Sequence, residues 1–226
     1  MAELILALDL PDRDAALRLL DRLPSLRWVK VGSQLMTAEG PSLVRELASR
    51  GLSVFLDLKW HDIPNTVRGA VGSARALGVR MVTVHTLGGA AMCRAAAEAA
   101  DGEMALVGVT VLTSHDEAEY AATLGRPSVR LLDEAARLAR IAVSCGLAGV
   151  VCSPLEVDRI RTGLGPDPLI VVPGIRRPGD DAGDQSRSAT PAEAVRQGAT
   201  HLVVGRPILQ AADPQAALGE FLSTLP

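Results

Sequence analysis

The sequence predicts a (β/α)8 barrel of the TIM type, folded as a single domain over residues 1–226. Three observations point there. Short, branched, apolar runs recur eight times; segments with helical apolar spacing stand between most of them; and glycine marks the return to strand at Gly51, Gly78, Gly146 and Gly198. Aromatic residues are only 2% of the chain against 48% hydrophobic, so the core must be Val, Leu, Ile and Ala. That composition suits parallel strands covered by Ala-rich helices. Eight strand–helix units in this length fit a closed barrel better than an open doubly wound sheet.

The elements follow in order. LILALDL (4–10) places Asp9 in phase with Ile5 and Ala7, and RDAALRLLDRL after it has helical spacing. WVKVG (28–32) sets Lys30 between the apolar Val29 and Val31; PSLVRELASRG is the next helix. In SVFLDLK (53–59), Phe55, Asp57 and Lys59 share one face while Val54, Leu56 and Leu58 share the other. TVRGAVGSARALG returns through Gly78 to MVTVHT (81–86), which carries His85 near its end, and MALVGVTVLT (104–113) ends on Thr113. VRLLDEAARLARIAVSCG leads to AGVVCS (148–153), LIVVPGI (169–175) precedes Arg176, and HLVVGRPI (201–208) carries Gly205 and Arg206. Active sites of this fold sit at the C-terminal ends of the strands, which is where these polar groups gather.

Composition excludes several functions. A net charge of −3 with no basic stripe gives no footprint for nucleic acid. Cys93, Cys145 and Cys152 are odd in number and lack paired-ligand spacing, so neither a disulfide framework nor a zinc site is expected, and a cytoplasmic location is. The N-terminus lacks a basic lead with a long apolar stretch, and no window reaches the roughly 20 apolar residues a membrane crossing needs.

The stretch DLKWHDIPNT (57–66) crowds Asp57, Lys59 and Asp62 at the end of an otherwise apolar run. A structural ion pair accounts for one such pair. It accounts poorly for Asp9, Lys30, Asp57 and Lys59 on three successive strands, since removing a charge from water costs several kcal/mol unless something else demands it. Asp62 reads equally well as the cap of a helix starting near Ile63-Pro64, and His61 as a packed or surface residue. Farther on, Gly205-Arg206-Pro207 after the last strand suits an anion, with a short helix starting at Pro207. Residues 176–190 are long and rich in Gly, Asp and Ser, the pattern of a lid over a ligand, with a surface loop as the plainer reading.

Together, Lys30, DLKWHDIPNT, LTS (112–114), PGIR (173–176), Gln185 and VVGRPI resemble the orotidine 5'-monophosphate decarboxylases of bacterial type. The resemblance runs from Asp9 to Arg206, and its D-x-K-x-x-D-I-P-N-T core is specific. It implies that Asp9 holds a ribose hydroxyl, that Lys30, Asp57, Lys59 and Asp62 form an alternating charged network, and that Lys59 donates the proton. It also implies a homodimer in which Asp62 and Thr66 reach the partner's site. Thr113 or its neighbour Ser114 would contact the pyrimidine; Arg176, Gln185, Gly205 and Arg206 would serve the phosphate and lid. Lys30 and Thr66 count among the substrate contacts, and neither metal nor cofactor is implied.

Three rivals compete: a Mg²⁺-dependent barrel acting on phosphorylated sugars with the same D-x-K-x-x-D core, an aldolase using Lys59 as a Schiff-base nucleophile, and a non-catalytic nucleotide binder. The I-P-N-T continuation disfavours the first, and two flanking carboxylates, which would hold the amine protonated, disfavour the second.

Overall fold

The computed structural model describes residues 2–177 and 187–225. Eight parallel strands close into a barrel in sequence order: β1 (Glu3–Ala7), β2 (Trp28–Gly32), β3 (Ser53–Trp60), β4 (Met81–His85), β5 (Ala105–Val109), β6 (Gly149–Val151), β7 (Leu169–Val172) and β8 (His201–Val204). Closure is direct, through the pairing of Glu3–Leu6 with His201–Val204. The predicted architecture is therefore the observed one.

Strand alternation separates two cores. Ile5, Phe55, Met81, Val107, Val171 and Val203 fill the barrel, while the opposite faces, such as Val54 and Leu56, join the layer under the helices. At the four predicted helix stops the backbone is left-handed, with φ of 82° at Gly51, 79° at Gly78, 89° at Gly146 and 108° at Gly198. The helix Ser33–Ser49 is broken at Gly40 (φ 67°), and the predicted segment from Pro41 forms its second half.

The fifth run departs from expectation. Its strand stops at Val109: the N–H of Thr110 makes the last ladder bond, to Val151 O at 3.1 Å, and the Thr110 hydroxyl donates to the same oxygen at 3.1 Å. Thr113 thus lies on a loop beyond β5 instead of ending the strand. Asp9 likewise lies two residues beyond the end of β1.

Among the described residues no helix is long and apolar enough to cross a membrane, and no group of three or more His, Cys, Asp or Glu is placed to hold a metal ion. Cys93, Cys145 and Cys152 are buried free thiols.

Candidate active site

The site is built where β3 stops being regular. Phe55 pairs with Met81 and Leu56 with Val82, but the next pairing is Trp60 with Val84, so β3 carries extra residues opposite Thr83. The ladder opens there, and Lys59 takes a left-handed conformation with φ of 51°. For a side chain of this kind that costs on the order of 1–3 kcal/mol, and it persists only where surrounding structure enforces it. Thr83 does so. Its hydroxyl oxygen accepts the Lys59 N–H at 2.8 Å, and the hydroxyl donates to Asp57 Oδ1 at 3.0 Å.

The charged side chains then form a row. Lys30 Nζ lies 3.1 Å from Asp9 Oδ1 and 3.7 Å from Asp57 Oδ2, and Lys59 Nζ donates to both oxygens of Asp57 at 2.9 Å. The signs alternate from Asp9 through Lys30 and Asp57 to Lys59. Lys30 and Asp57 are each 12% exposed, whereas Lys59, at the end of the row, is 40% exposed. Gly32 keeps the row uncrowded: a Cβ there would lie 3.1 Å from Lys30 Nζ.

This row lines a cleft of about 670 Å³ at the C-terminal rim. Thr113 and Ser114 both line it, so the one-position ambiguity between them stands, and Arg176, Gly205 and Arg206 line the β7–β8 side. Among the described residues, Lys30, Lys59, Arg176 and Arg206 line the cleft together with the carboxylates Asp9 and Asp57, a cationic lining suited to a ligand with more than one anionic group. Arg206 is the first residue of a short helix, Arg206–Leu209, one position before the predicted start. Another cleft, of about 650 Å³, lies at the N-terminal ends of β3 and β4 beside Arg75 and Glu103, the rim that barrel enzymes use for stability.

Two predicted residues are not brought to this cleft. Asp62 and Thr66 are exposed at the start of the helix Pro64–Ala76. The capping reading of Asp62 is corrected: Ile63 is the N-cap residue, and the Asp62 carboxylate instead accepts the N–H of Ile63 at 2.6 Å. Adjacent placement of donor and acceptor leaves it no reach into the first turn. His61 is exposed and stacks on His85 at 5.3 Å. Burial first, then the neighbouring His61 and Lys59, push the His85 pKa down to about 4, so it is neutral beside the row. Gln185 and most of the predicted lid fall outside the described residues; around them, Ile175 and Ala189 form a parallel bridge.

Arg187 and Glu156 did not stand out in the sequence. Arg187 Nη1 donates to Glu156 Oε1 at 2.6 Å and Nη2 to Leu112 O at 3.0 Å, while Glu156 Oε2 accepts the N–H of Ser153 at 2.9 Å. One guanidinium thus ties the loops after β5 and β6 together behind Thr113. Nothing in local spacing announces such a contact; Thr83 by contrast was findable as a polar residue in the inward phase of an apolar strand.

The family model described as "Orotidine 5'-phosphate decarboxylase / HUMPS family" matches residues 2–221. The chain belongs to this family. The orotidine 5'-phosphate decarboxylase of Anaeromyxobacter sp. (strain K) is 52% identical over 196 residues, covering 86% of this chain and 85% of the relative. That of Opitutus terrae is 48% identical over 227 residues, covering 99% and 98%. The crystal structure of orotidine 5'-phosphate decarboxylase from Lactobacillus acidophilus matches with a TM-score of 0.89 at 35% identity, covering 99% of both chains.

Proposed function

We propose that this chain decarboxylates orotidine 5'-monophosphate to uridine 5'-monophosphate and CO₂, the last step of pyrimidine nucleotide synthesis, with no cofactor, and that the whole barrel is one catalytic domain. The observation that carries the reading is the alternating row Asp9–Lys30–Asp57–Lys59 within the same cleft as Arg176 and Arg206. Such a cleft matches a ligand with a phosphate at one end and a carboxylate at the other.

Breaking the C6–carboxylate bond leaves an electron pair in the plane of the pyrimidine ring, where its carbonyl groups delocalise it poorly. The barrier falls only if fixed charge stabilises that pair, and this reaction asks for a total lowering toward the upper part of the usual enzymatic range of about 8–23 kcal/mol. Asp57 beside the substrate carboxylate repels it by roughly 4 kcal/mol at 4 Å and an effective dielectric near 20, and the repulsion ends when CO₂ leaves. Lys59 attracts the developing pair on C6 and then gives it a proton from Nζ. Lys30 balances Asp57 and, with Asp9, faces the ribose. Thr113 or Ser114 meets the pyrimidine; Arg176, Gly205 and Arg206, together with Gln185, hold the phosphate, whose binding energy organises the reacting end.

The test is conversion of orotidylate to uridylate, followed by absorbance, in the presence of EDTA. Persistence in EDTA separates this reading from the Mg²⁺-dependent sugar-phosphate rival. Lys59→Ala is expected to abolish turnover while uridylate still binds; retained turnover removes Lys59 as proton donor.

The working form in this reading is a homodimer, with Asp62 and Thr66 completing the partner's site. Their exposure supports it, as does Ile63, which lies between them and is 67% exposed. Mixing two inactive proteins, Lys59→Ala and Asp62→Ala, is expected to restore activity through mixed dimers that retain one intact site. No recovery after subunit exchange sinks the shared site. The three buried thiols fit a reducing cytoplasm, which fractionation of cells tests.

A further inference from the structure

We infer that Thr83 is a positioning residue for the reaction: through one hydroxyl it sets the backbone of Lys59 and the carboxylate of Asp57 in a single geometry. The inference rests on the decarboxylase reading for its chemistry and on the β3–β4 irregularity for its structure. Thr83 shares the inward face of β4 with Met81, and it is fully buried. A buried threonine in a strand ordinarily satisfies its hydroxyl on a nearby carbonyl. Here both bonds go to the two residues that act on the substrate carboxylate and on C6.

The register makes the arrangement necessary. Between the Leu56–Val82 and Trp60–Val84 pairings the Lys59 N–H faces Thr83 without a ladder carbonyl, and a buried donor left unmatched is costly. Thr83 Oγ1 takes that N–H at 2.8 Å, which holds Lys59 at φ 51°. The same oxygen, having accepted, must direct its own hydrogen elsewhere, and Asp57 Oδ1 is 3.0 Å away. Asp57 is then gripped from two sides, by the hydroxyl and by Lys59 Nζ at 2.9 Å. The threonine therefore couples the angle of the carboxylate to the direction of the ammonium. Neither substrate nor product need touch it.

The test compares Thr83→Val, which keeps the shape and removes the hydroxyl, with Thr83→Ser, which keeps the hydroxyl. Thr83→Val is expected to lower kcat at least 30-fold, with KM for orotidylate and Kd for uridylate within threefold of wild type; Thr83→Ser should retain kcat within fivefold. Amide exchange at Lys59 should accelerate tenfold or more in Thr83→Val and not in Thr83→Ser. Full kcat in Thr83→Val, equal losses in both variants, or a Lys59 amide that exchanges as in wild type would overturn the inference. Should Thr83→Val not fold, Thr83→Ala against Thr83→Ser poses the same question. An inactive wild type would defeat the decarboxylase reading, while the Lys59 amide would still decide whether Thr83 holds that backbone.

Discussion

Replacing Arg187 with alanine should leave a barrel whose loss of stability grows with pH. Glu156 is 2% exposed and Arg187 13%, so the pair is dry, and breaking such a pair by removing one partner costs about 3–5 kcal/mol when the other stays charged. Glu156 has an escape, because it can take up a proton. Burial already raises its pKa, against the lowering effects of the Ser153 N–H and the Arg187 guanidinium. A raised carboxyl pKa means that its contribution to stability is complete below the unfolded value of about 4.3 and is lost as pH rises through the folded value.

Removing Arg187 deletes an opposing influence, so the folded value climbs further, at about 1.4 kcal/mol per unit. Near pH 5 the variant should lack only its hydrogen bonds, a deficit of about 1 kcal/mol. At pH 8 the deficit should approach about 3 kcal/mol, or roughly 6–12 °C in Tm for a domain of this size. Urea and thermal unfolding by circular dichroism at the two pH values measure it. Arg187→Lys restores a counter-charge for Glu156 but cannot also reach Leu112 O as a fork does, so it should remove the pH dependence and leave the smaller deficit. An equal deficit at both pH values would refute the reasoning.

Burial pushes the His201 pKa down to about 4, so stability should hold above about pH 6.5 and fall as pH drops toward 4; His201→Phe should flatten that decline in urea midpoints. At Gly149 an added Cβ would lie 2.0 Å from Leu169 O, so Gly149→Ala should lose about 3 kcal/mol or more, whereas Gly163→Ala, with open space in a helix, should gain up to about 1 kcal/mol. Arg206→Ala should lower kcat/KM roughly 30- to 150-fold, the worth of about 2–3 kcal/mol in a charge-assisted contact, and an unchanged value removes it from the site.

The barrel and much of its rim can be read from residue order. Period-two alternation assigns Phe55 and Asp57 to one face of β3, and positive φ at Gly51, Gly78, Gly146 and Gly198 answers a local steric demand, so both are written in nearest-neighbour chemistry. Lys30, Asp57 and Lys59 were legible because charges in apolar runs are costly enough to need a reason. How those charges meet depends on the closed sheet. The pairing of Asp57 with Lys30 needs two strands in register, the left-handed turn at Lys59 needs a mismatch with β4, and Arg187 reaches Leu112 across 75 positions of sequence. Asp62 shows the reverse case: its immediate neighbours made a cap plausible, and the direction of the chain entering Pro64–Ala76 removed it. Local pattern reports what a residue needs from its own strand or helix. Which distant group meets that need depends on closure of the sheet.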